Sequence, residues 1–358
     1  MVTLGSRSIG DGAPCFITLE AGATHNGLAS AKRLASLAAS AGADAVKFQI
    51  FDPDRLVADK KQLFSYGILA DRATGRVEQI SEPLYDILQR RSMDTDSWRQ
   101  LKNHCDSLGL LFFATVAFTE DVDLLVELGC QTVKIASADV NHFPLIRYAA
   151  ASGLCIQLDT GNASIGEVEA AVDVVRSTGN ERIIIHHCPS GYPARLDGIN
   201  LNILPTLKQM FDYPIAFSDH TPGWEMDIAA VALGANMVEK TITEDRTTRS
   251  AEHQFSLEPP EMQLFVRTIR ELEQAMGSSR RILHDVERQK HKAVRRSLFL
   301  RYARPAGHIL TPEDIDFRRP GFGISPPETE LLLGNRLRCD LPADTLLQWS
   351  HLEPPASN

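Results

Sequence analysis

The chain has 358 residues, of which 43% are hydrophobic, so it can bury one large core and support a small additional domain. It carries 37 Lys and Arg against 46 Asp and Glu, which gives a net charge of −9 without long runs of like charge. This balance argues against binding to nucleic acid or anionic membranes. The six cysteines form no CxxC pair, and neither a signal-peptide core nor an eighteen-residue apolar stretch is present. We therefore expect a reduced, cytoplasmic protein.

Eight short apolar runs recur along the chain, and most are followed by a stretch with helical periodicity. In chain order the runs are FITLEAG, AVKFQIF, LLFFATV, TVKIAS, CIQLDTG, RIIIHHC, PIAFSDH and MVEKTIT. Near-continuous hydrophobicity is typical of parallel strands that are buried on both faces. Several helical stretches, such as SIGEVEAAVDVVRSTG, end in a glycine that suits a helix C-cap. Eight such units over roughly 260 residues predict an α/β fold of the (β/α)₈ TIM-barrel type rather than an open doubly wound sheet.

Two segments depart from this alternation. The interval from Asp52 to Thr95 is predicted to be an extended loop with helical parts that acts as a lid. After Gly277 the chain becomes polar and basic, and from Ser297 short apolar runs alternate with Pro/Gly turns. These changes predict a barrel domain over residues 1–280, a linker over 281–296 and a small β-rich domain over 297–358.

Polar residues stand at or near the end of each of the eight predicted strands. In a (β/α)₈ barrel the active site gathers at the carboxyl ends of the strands. A single such residue more often pairs with a neighbouring loop, but eight coincident cases indicate a shared site. The set comprises Glu20, Lys47, Gln49, Thr115, Lys134, Ser137, Asp139, Asp159, Thr160, His186, His187, Cys188, Ser218, Asp219, His220, Glu239 and Lys240.

Two lysines in this set, Lys47 and Lys134, lie on strands separated by one other strand. Buried ammonium groups require an anion, so we expect a ligand that carries phosphate or carboxylate. The alternative is that internal carboxylates such as Glu20 or Glu239 neutralise both lysines. Hydroxyl groups that would add hydrogen bonds to an anionic ligand are present at Thr115, Ser137 and Ser218.

Two further residues allow more than one role. His220 follows a strand end, a position that suits either a metal ligand or a general acid/base, although one imidazole does not make a metal site. Lys47 suits a Schiff-base nucleophile, as in barrel aldolases, if burial lowers its pKa. His186 and His187 alternate along a strand, so we expect at most one to point into the barrel.

The motifs together resemble the sialic acid (nonulosonic acid) synthases, which condense phosphoenolpyruvate with an N-acylated amino sugar. The resemblance covers nearly the whole chain. It rests on EAGATHNG, GADAVKFQ, VKIASAD, HCPSGYP, INLN, FSDHTPG, ALGANMVEK and EHQFSLEPPEM. From Arg295 onward, RRSLFLRYARPAGHILTPEDIDFRRPGFGISP is similar to that family's C-terminal SAF domain, which resembles type III antifreeze proteins.

The resemblance implies roles for individual residues. The phosphoenolpyruvate-binding set would be Lys47, Thr115, Lys134, Ser137, Ser190 and Ser218. The sugar-binding set would be Gln49, Asp139, Tyr192, Glu252 and Arg319, with Arg318 as the alternative to Arg319. The catalytic set would be Glu20, Glu239, His220 and Lys47. The resemblance also implies a domain-swapped homodimer, in which the arginine reaches the partner's barrel.

The sequence departs from the family pattern at positions that affect metal binding. The family uses a divalent ion, Mn²⁺ or Mg²⁺, held by two histidines, and Thr241 stands where the second histidine is expected. Asp159 replaces a serine of the fifth strand, Asp139 replaces a glutamate, and Thr24 replaces an asparagine. Either Asp159 joins His220 as the second metal ligand, or the protein works without a metal.

Two other functions stay open at this point. One is a Schiff-base pyruvate aldolase, and the other is a catalytically lapsed sugar-binding protein of the same fold, which the changes at Thr241 and Asp159 suggest. The acceptor is also open between N-acetylmannosamine and a 2,4-diacetamido-trideoxyhexose, because both offer an aldehyde and an N-acyl group.

Overall fold

A computed structural model describes residues 1–353, so the last five residues of the predicted C-terminal domain, 354–358, lie outside the described residues. Strands are between two and nine residues long. In chain order they are β1 (Val2–Leu4), β2 (Arg7–Ile9), β3 (Phe16–Glu20), β4 (Ala45–Ile50), β5 (Leu63–Asp71), β6 (Arg76–Pro83), β7 (Leu111–Val116), β8 (Thr132–Ile135), β9 (Cys155–Asp159), β10 (Ile183–His187), β11 (Ile215–Asp219), β12 (Met237–Thr241), β13 (Ser297–Leu300), β14 (Ile315–Arg318), β15 (Arg336–Leu337) and β16 (Leu352–Glu353).

Helices separate most barrel strands. They are α1 (Leu28–Ala41), α2 (Pro53–Leu56), α3 (Leu84–Gln89), α4 (Thr95–Ser107), α5 (Thr119–Glu127), α6 (Phe143–Ala151), α7 (Ile165–Arg176), α8 (Leu196–Ile199), α9 (Ile203–Met210), α10 (Glu225–Ala232), α11 (Pro259–Met276), α12 (Asp285–Val294) and α13 (Thr329–Leu332). Among the described residues, no helix has the length and apolar character that a membrane span needs.

The eight predicted strands form a closed parallel barrel in the order β3-β4-β7-β8-β9-β10-β11-β12, with β12 returning to β3. This confirms the predicted TIM barrel. The main core lies between the strands and the surrounding helices. Side chains that point outward from the strands, such as Ile17, Phe48 and Phe217, are fully buried there. A second apolar layer inside the barrel includes Phe16 and Met237, and it packs against the N-terminal hairpin formed by β1 and β2.

The interval from Asp52 to Thr95 differs from the prediction of an extended loop with helical parts. It contains the helices α2 and α3, as expected, but also an antiparallel hairpin made by β5 and β6. Only Tyr66 and Gly67 of β5 are buried, and no residue of β6 is buried, so the hairpin lacks the near-continuous burial of the barrel strands. Tyr66 anchors the hairpin, because it is buried against Ile87 and Ala251.

The chain divides into two compact units, Met1–Gly277 and Ser278–Asn358. The predicted linker over 281–296 contains α12, a helix with no buried residue. The second unit has two small antiparallel sheets, β13 with β14 and β15 with β16. Its own core comprises Leu298, Leu300, Leu310, Ile315, Ile324, Leu332, Leu337, Leu341, Leu347 and Leu352.

Candidate active site

A cavity of about 390 Å³ opens at the carboxyl ends of the barrel strands. We call it the barrel cavity. Most of the residues that the sequence assigns to a site line it together, which agrees with the expected position of a barrel active site. These residues are Glu20, Lys47, Gln49, Thr115, Lys134, Ser137, Asp159, Tyr192, Ser218, His220, Glu239 and Glu252.

Five charged side chains form the floor of the cavity, and we call them the floor cluster: Glu20, Lys47, Lys134, Asp159 and Glu239. Lys47 Nζ lies 2.6 Å from Glu20 Oε2 and 2.7 Å from Glu239 Oε1. Lys134 Nζ lies 2.7 Å from the same Glu239 oxygen and 3.0 Å from Asp159 Oδ1. Internal carboxylates therefore neutralise both lysines. This is the second of the two arrangements expected from the sequence, in which the lysines do not need an anionic ligand.

The floor cluster shifts the pKa of each of four members in a definite direction. Burial raises the pKa of Glu239, but the ammonium groups of Lys134 and Lys47 outweigh burial and hold that pKa below its ordinary value. Burial lowers the pKa of Lys134, but Asp159 and Glu239 outweigh it and the pKa is raised. Burial dominates at the other two positions, so the pKa of Lys47 is lowered and that of Asp159 is raised.

Hydroxyl groups surround the two ammonium groups, as the sequence predicts. Lys47 Nζ lies 3.4 Å from Thr115 Oγ1, and Lys134 Nζ lies 3.3 Å from Ser218 Oγ. Ser218 in turn donates to Glu239 Oε1 at 3.2 Å. An oxyanion that reached the two lysines would therefore meet hydroxyl donors on the neighbouring strands.

The turn after β9 approaches this floor closely because it contains a glycine. A Cβ atom at Gly161 would lie 2.6 Å from Ser137 Oγ and 2.7 Å from the carbonyl oxygen of Cys188. The next residue, Asn162, has a positive φ of 57° and lines the cavity. The backbone at this turn is therefore part of the cavity wall.

His220 lies half-buried on the cavity wall, with its ring edge-on to Tyr192 at a centroid distance of 4.8 Å. Its Nδ1 is buried and has no hydrogen-bond partner among residues 1–353. Burial, followed by the charge of Lys134, lowers the pKa of His220 to about 4. At neutral pH the ring is therefore uncharged, with one N–H to donate and one nitrogen to accept.

The predicted metal ligands were His220 and Asp159. Asp159 lies against Lys134, and Thr241, at the end of β12, offers only a neutral hydroxyl. Within the described part of the chain, no group of three or more His, Cys, Asp or Glu residues is arranged to hold a metal ion. This donor set does not fit a metal centre built from protein side chains. A requirement for Mn²⁺ or Mg²⁺ is a prediction from the resemblance alone.

Some predicted site residues lie away from the cavity lining. Asp139 is half-buried in a short 3₁₀ helix, Ser137–Asp139, and burial raises its pKa. Ser190 is exposed and donates to Asn162 Oδ1 at 2.9 Å. Arg319 is exposed in the second unit, whereas Arg318 pairs with Asp316 at 2.7 Å. Roles in binding for these residues stay predictions.

The two consecutive histidines alternate as predicted. His186 is fully buried inside the barrel, where its Nε2 lies 2.8 Å from Gln157 Oε1. His187 points outward, and its Nε2 lies 2.5 Å from the carbonyl oxygen of Ile199. Asp219 and Lys240, also at strand ends, form a fully buried ion pair with each other.

Several cavity residues were not identified from the sequence. The clearest case is Arg91, which follows α3 and reaches the cavity with a side chain that is almost fully buried. Nothing in its local sequence signals this placement, since it lies in the polar run QRRS. Apolar residues from the inserted segment complete this wall of the cavity: Phe64, Leu84 and Ile87.

Comparisons with known proteins agree with this arrangement. The chain matches the NeuB family over residues 34–281 and the SAF domain over residues 295–353. It is 34% identical to N,N'-diacetyllegionaminic acid synthase of Legionella pneumophila, over 98% of each chain. It is 30% identical to N-acetylneuraminate-9-phosphate synthase of Homo sapiens, over 90% of this chain and 88% of the human protein.

A solved structure extends the likeness to three dimensions. The N-acetylneuraminic acid (sialic acid) synthetase of Leptospira borgpetersenii, in complex with citrate, has a TM-score of 0.70 and 30% identity to this chain. The comparison covers 81% of this chain and 94% of that protein. The barrel, its polar floor and these matches together show that the chain belongs to the NeuB family and carries a C-terminal SAF domain.

Proposed function

We propose that the chain condenses phosphoenolpyruvate with an N-acylated amino sugar, such as N-acetylmannosamine or a 2,4-diacetamido-trideoxyhexose, to give a nonulosonic acid and phosphate. The observation that carries this proposal is the barrel cavity, where two lysines, hydroxyl groups and a neutral histidine meet within one space. The names of the relatives, which are synthases of legionaminic acid and of neuraminate 9-phosphate, support the same reaction class.

In this reaction C3 of phosphoenolpyruvate attacks the aldehyde carbon of the open-chain sugar. The new C–C bond takes the electron pair of the enol double bond, and positive charge develops at C2. The aldehyde oxygen takes up a proton as the C–C bond forms, and water adds to C2 and loses a proton. The C2 hydroxyl of the tetrahedral intermediate then loses its proton to become the ketone as the C–O bond to phosphate breaks, and the leaving phosphate takes the bonding electron pair. The products are a 2-keto-3-deoxy acid and inorganic phosphate, so no oxidant or reductant is needed.

The floor cluster suits the binding of phosphoenolpyruvate but also limits it. Lys47 and Lys134 would neutralise the phosphate and carboxylate groups of the substrate. Because three carboxylates already contact these two lysines, the substrate must compete with them for the ammonium groups. Binding therefore either displaces a carboxylate or protonates it.

Three further side chains would act on the aldehyde and the water. His220 is neutral at pH 7, so its N–H would hydrogen-bond the aldehyde oxygen as negative charge develops there. Glu20 and Glu239 line the same floor and would accept the proton of the attacking water. Burial raises the pKa of Glu239, but Lys134 and Lys47 outweigh it and hold the pKa low, so Glu239 is ionised at pH 7 and is a weak proton acceptor while it keeps both lysine contacts.

A panel assay tests the proposal. Phosphate release from phosphoenolpyruvate is measured over a set of N-acyl amino sugars, and mass spectrometry identifies the nine-carbon product. We expect release that depends on the sugar and that is abolished in Lys134→Met. Release without sugar, or none with any acceptor, would contradict the proposal.

A Schiff-base aldolase is the second candidate, because burial lowers the pKa of Lys47. Two carboxylates in contact with that ammonium group oppose its deprotonation. Borohydride reduction in the presence of pyruvate distinguishes the candidates. A stable adduct on Lys47 would support the aldolase, whereas the synthase predicts none.

The proposal includes a homodimer in which Arg319 of one subunit serves the barrel of the other. Light scattering measures the assembly, and mixing two inactive variants tests the exchange. Arg319→Ala and Lys134→Met each carry one defect, so a mixed dimer has one site with both residues intact. If activity returns on mixing, Arg319 of one subunit serves the barrel of the other. An inactive mixture contradicts this arrangement.

A further inference from the structure

The side wall of the barrel cavity contains a buried cation that the proposed reaction does not use. Arg91 is 6% exposed, and it donates from Nη1 to the carbonyl oxygen of Ala23 at 3.1 Å and from Nε to that of Ile87 at 3.4 Å. Among residues 1–353, no Asp or Glu oxygen lies within 4.0 Å of its guanidinium group. A buried guanidinium stays charged and is costly without a partner, so its place in a cavity wall calls for a ligand.

A carboxylate without a partner lies on the same cavity wall. Glu252 lines the cavity, and its carboxylate accepts no hydrogen bond from any described residue. Its backbone has φ 78° and ψ −17°, the left-handed region that a glutamate rarely adopts. Strain of this kind is retained where the side chain must point at a particular place. Arg91 is the strongest opposing charge near Glu252, yet the two do not touch.

We propose that Arg91 is a specificity residue for the acceptor sugar, and that Arg91 and Glu252 together clamp one hydroxyl group of that sugar. In this clamp the guanidinium donates to the hydroxyl oxygen, and the hydroxyl donates to the Glu252 carboxylate. The inference rests on the proposed function, because it names a feature of the acceptor in the same cavity.

The chemistry of the pair selects a hydroxyl over other substituents. A hydroxyl group is both a donor and an acceptor, so it satisfies a cation and a carboxylate at once. A phosphate or carboxylate at this place would be repelled by Glu252, and a methyl group would leave both charges without a partner. Sites that hydrogen-bond a substrate hydroxyl reject the analogue that lacks it, because their own polar groups are then left unsatisfied.

The remaining wall suits the carbon skeleton of the sugar. Phe64, Leu84 and Ile87 lie on the inserted segment, and Ala251 precedes Glu252. Apolar contacts there hold the sugar carbons, and Arg91 and Glu252 then bind a single substituent. We therefore expect the acceptor to be a neutral amino sugar with a free hydroxyl at the clamped position, rather than one that is deoxygenated or phosphorylated there.

A series of singly deoxygenated and singly phosphorylated N-acyl amino sugars tests the clamp. For the wild type, we expect one position at which loss or phosphorylation of the hydroxyl lowers kcat/KM by at least about tenfold. In Arg91→Met the same change should lower kcat/KM by no more than about twofold, because the partner of the hydroxyl is gone. Glu252→Gln should weaken the discrimination similarly. Arg90→Met is the matched control, because Arg90 is the adjacent arginine and its guanidinium is paired with Glu82.

Three readouts separate the clamp from other roles. If Arg91 only supports the fold, Arg91→Met raises the KM values of both substrates and lowers Tm, which overturns the inference. Equal discrimination by wild type and Arg91→Met overturns it as well. If the wild type releases no phosphate, the proposed function fails. The clamp is then tested by calorimetry, in which the affinity ratio between each parent sugar and its deoxygenated analogue is compared for the wild type and Arg91→Met.

Discussion

The Asp159 carboxylate determines how well an anionic substrate can bind at the floor of the cavity. The family resemblance implies a serine at this position, and the carboxylate lies 3.0 Å from Lys134 Nζ. The floor cluster thus has three carboxylates and two ammonium groups, whereas a serine would leave the charges equal. Lys134 offsets the repulsion that Asp159 would exert on a phosphate, but it is then less available to that phosphate.

Replacing Asp159 with Ser should strengthen the binding of phosphoenolpyruvate. We expect the KM for phosphoenolpyruvate to fall roughly tenfold, which corresponds to about 1.4 kcal/mol. The reason is that Lys134 loses one competing carboxylate and the substrate loses one repulsive charge. Steady-state kinetics at a saturating acceptor concentration measures the change.

Asp159→Asn is the matched control, because it removes the charge and keeps the shape. It should lower the KM nearly as far as Asp159→Ser. A KM that rises in both variants would mean that the carboxylate itself contacts the substrate favourably, and the repulsion argument would then be wrong.

Thr241 offers a second test at the residue scale. Along β12 the side chains alternate, so Thr241 points to the same side as Glu239, into the barrel. Thr241→His should bring a second imidazole toward His220 and create affinity for Mn²⁺, because imidazole is a much better ligand than a hydroxyl. Thermal stabilisation by Mn²⁺ and the EPR spectrum of the bound ion measure this.

The wild type should show little Mn²⁺ stabilisation in the same experiment. His220→Gln in the Thr241→His background is the control and should lose the effect. Equal Mn²⁺ binding by wild type and Thr241→His would instead show that the existing side chains suffice for a metal site.

The sequence predicts which residues reach the cavity better than it predicts their partners. Polar residues that end apolar runs are visible in one dimension, and Lys47, Lys134 and Ser218 reach the cavity as expected. The sharing of one Glu239 oxygen by both lysines depends on barrel closure, which sequence spacing does not encode. Arg91 was missed for a similar reason, since only the fold of the inserted segment brings it to the cavity.

At the scale of elements, burial explains what could be predicted. All eight barrel strands could be predicted from the sequence, because each is buried over most of its length and consists mainly of apolar residues. The β5–β6 hairpin was not predicted, because only two of its strand residues are buried and β6 is largely polar, so the pair shows no continuously buried run. A strand pair held by backbone hydrogen bonds at the surface needs no apolar pattern.

The turn between β9 and α7 gives an element-scale prediction. Gly161→Ala should push this turn away from Ser137 and Cys188, since the added methyl group would lie within 2.7 Å of atoms of both residues. We expect the KM for phosphoenolpyruvate to rise at least about tenfold, because Ser137 lines the barrel cavity in which the proposed function places this substrate. Kinetics together with Tm measures the effect.

Gly166→Ala in α7 is the control for Gly161→Ala. A Cβ at Gly166 meets no atom within 4 Å, so neither KM should change. An unchanged KM in Gly161→Ala would show that the close approach at this turn does not shape the site.

At the scale of the whole molecule, the two units have separate cores and different titrating groups. In the barrel, His25 and His253 are almost fully buried. Burial, followed by the charge of Arg91, lowers the pKa of His25 to about 3 and that of His253 to about 4. In the second unit, burial raises the pKa of Asp314, but hydrogen bonds from His308, Thr311 and Arg304 outweigh it and hold that pKa well below the usual range.

These shifts predict that mild acid destabilises the barrel before the second unit. Below pH 6.5 an unfolded histidine binds a proton that the folded barrel excludes, so the free energy of unfolding falls as pH falls from 6.5 toward 4. The slope is about 1.4 kcal/mol per pH unit for each such histidine. Asp314 also makes the free energy of unfolding fall as pH falls, but over a lower pH range. Its contribution to stability is complete above its unfolded pKa of about 4 and is lost only below that pH.

Scanning calorimetry at pH 7.5, 6 and 5 should therefore show a barrel transition that moves to lower temperature and a second transition that hardly moves. His25→Gln is the informative variant, because it keeps a hydrogen-bond acceptor for the amide of Gly27 and removes one titrating group. In this variant, unfolding of the barrel should take up about one proton fewer, so the free energy of unfolding should change less with pH. If both transitions shift in parallel, exclusion of protons from buried histidines is not what limits the acid stability of the barrel, and charge repulsion across the whole chain becomes the better explanation.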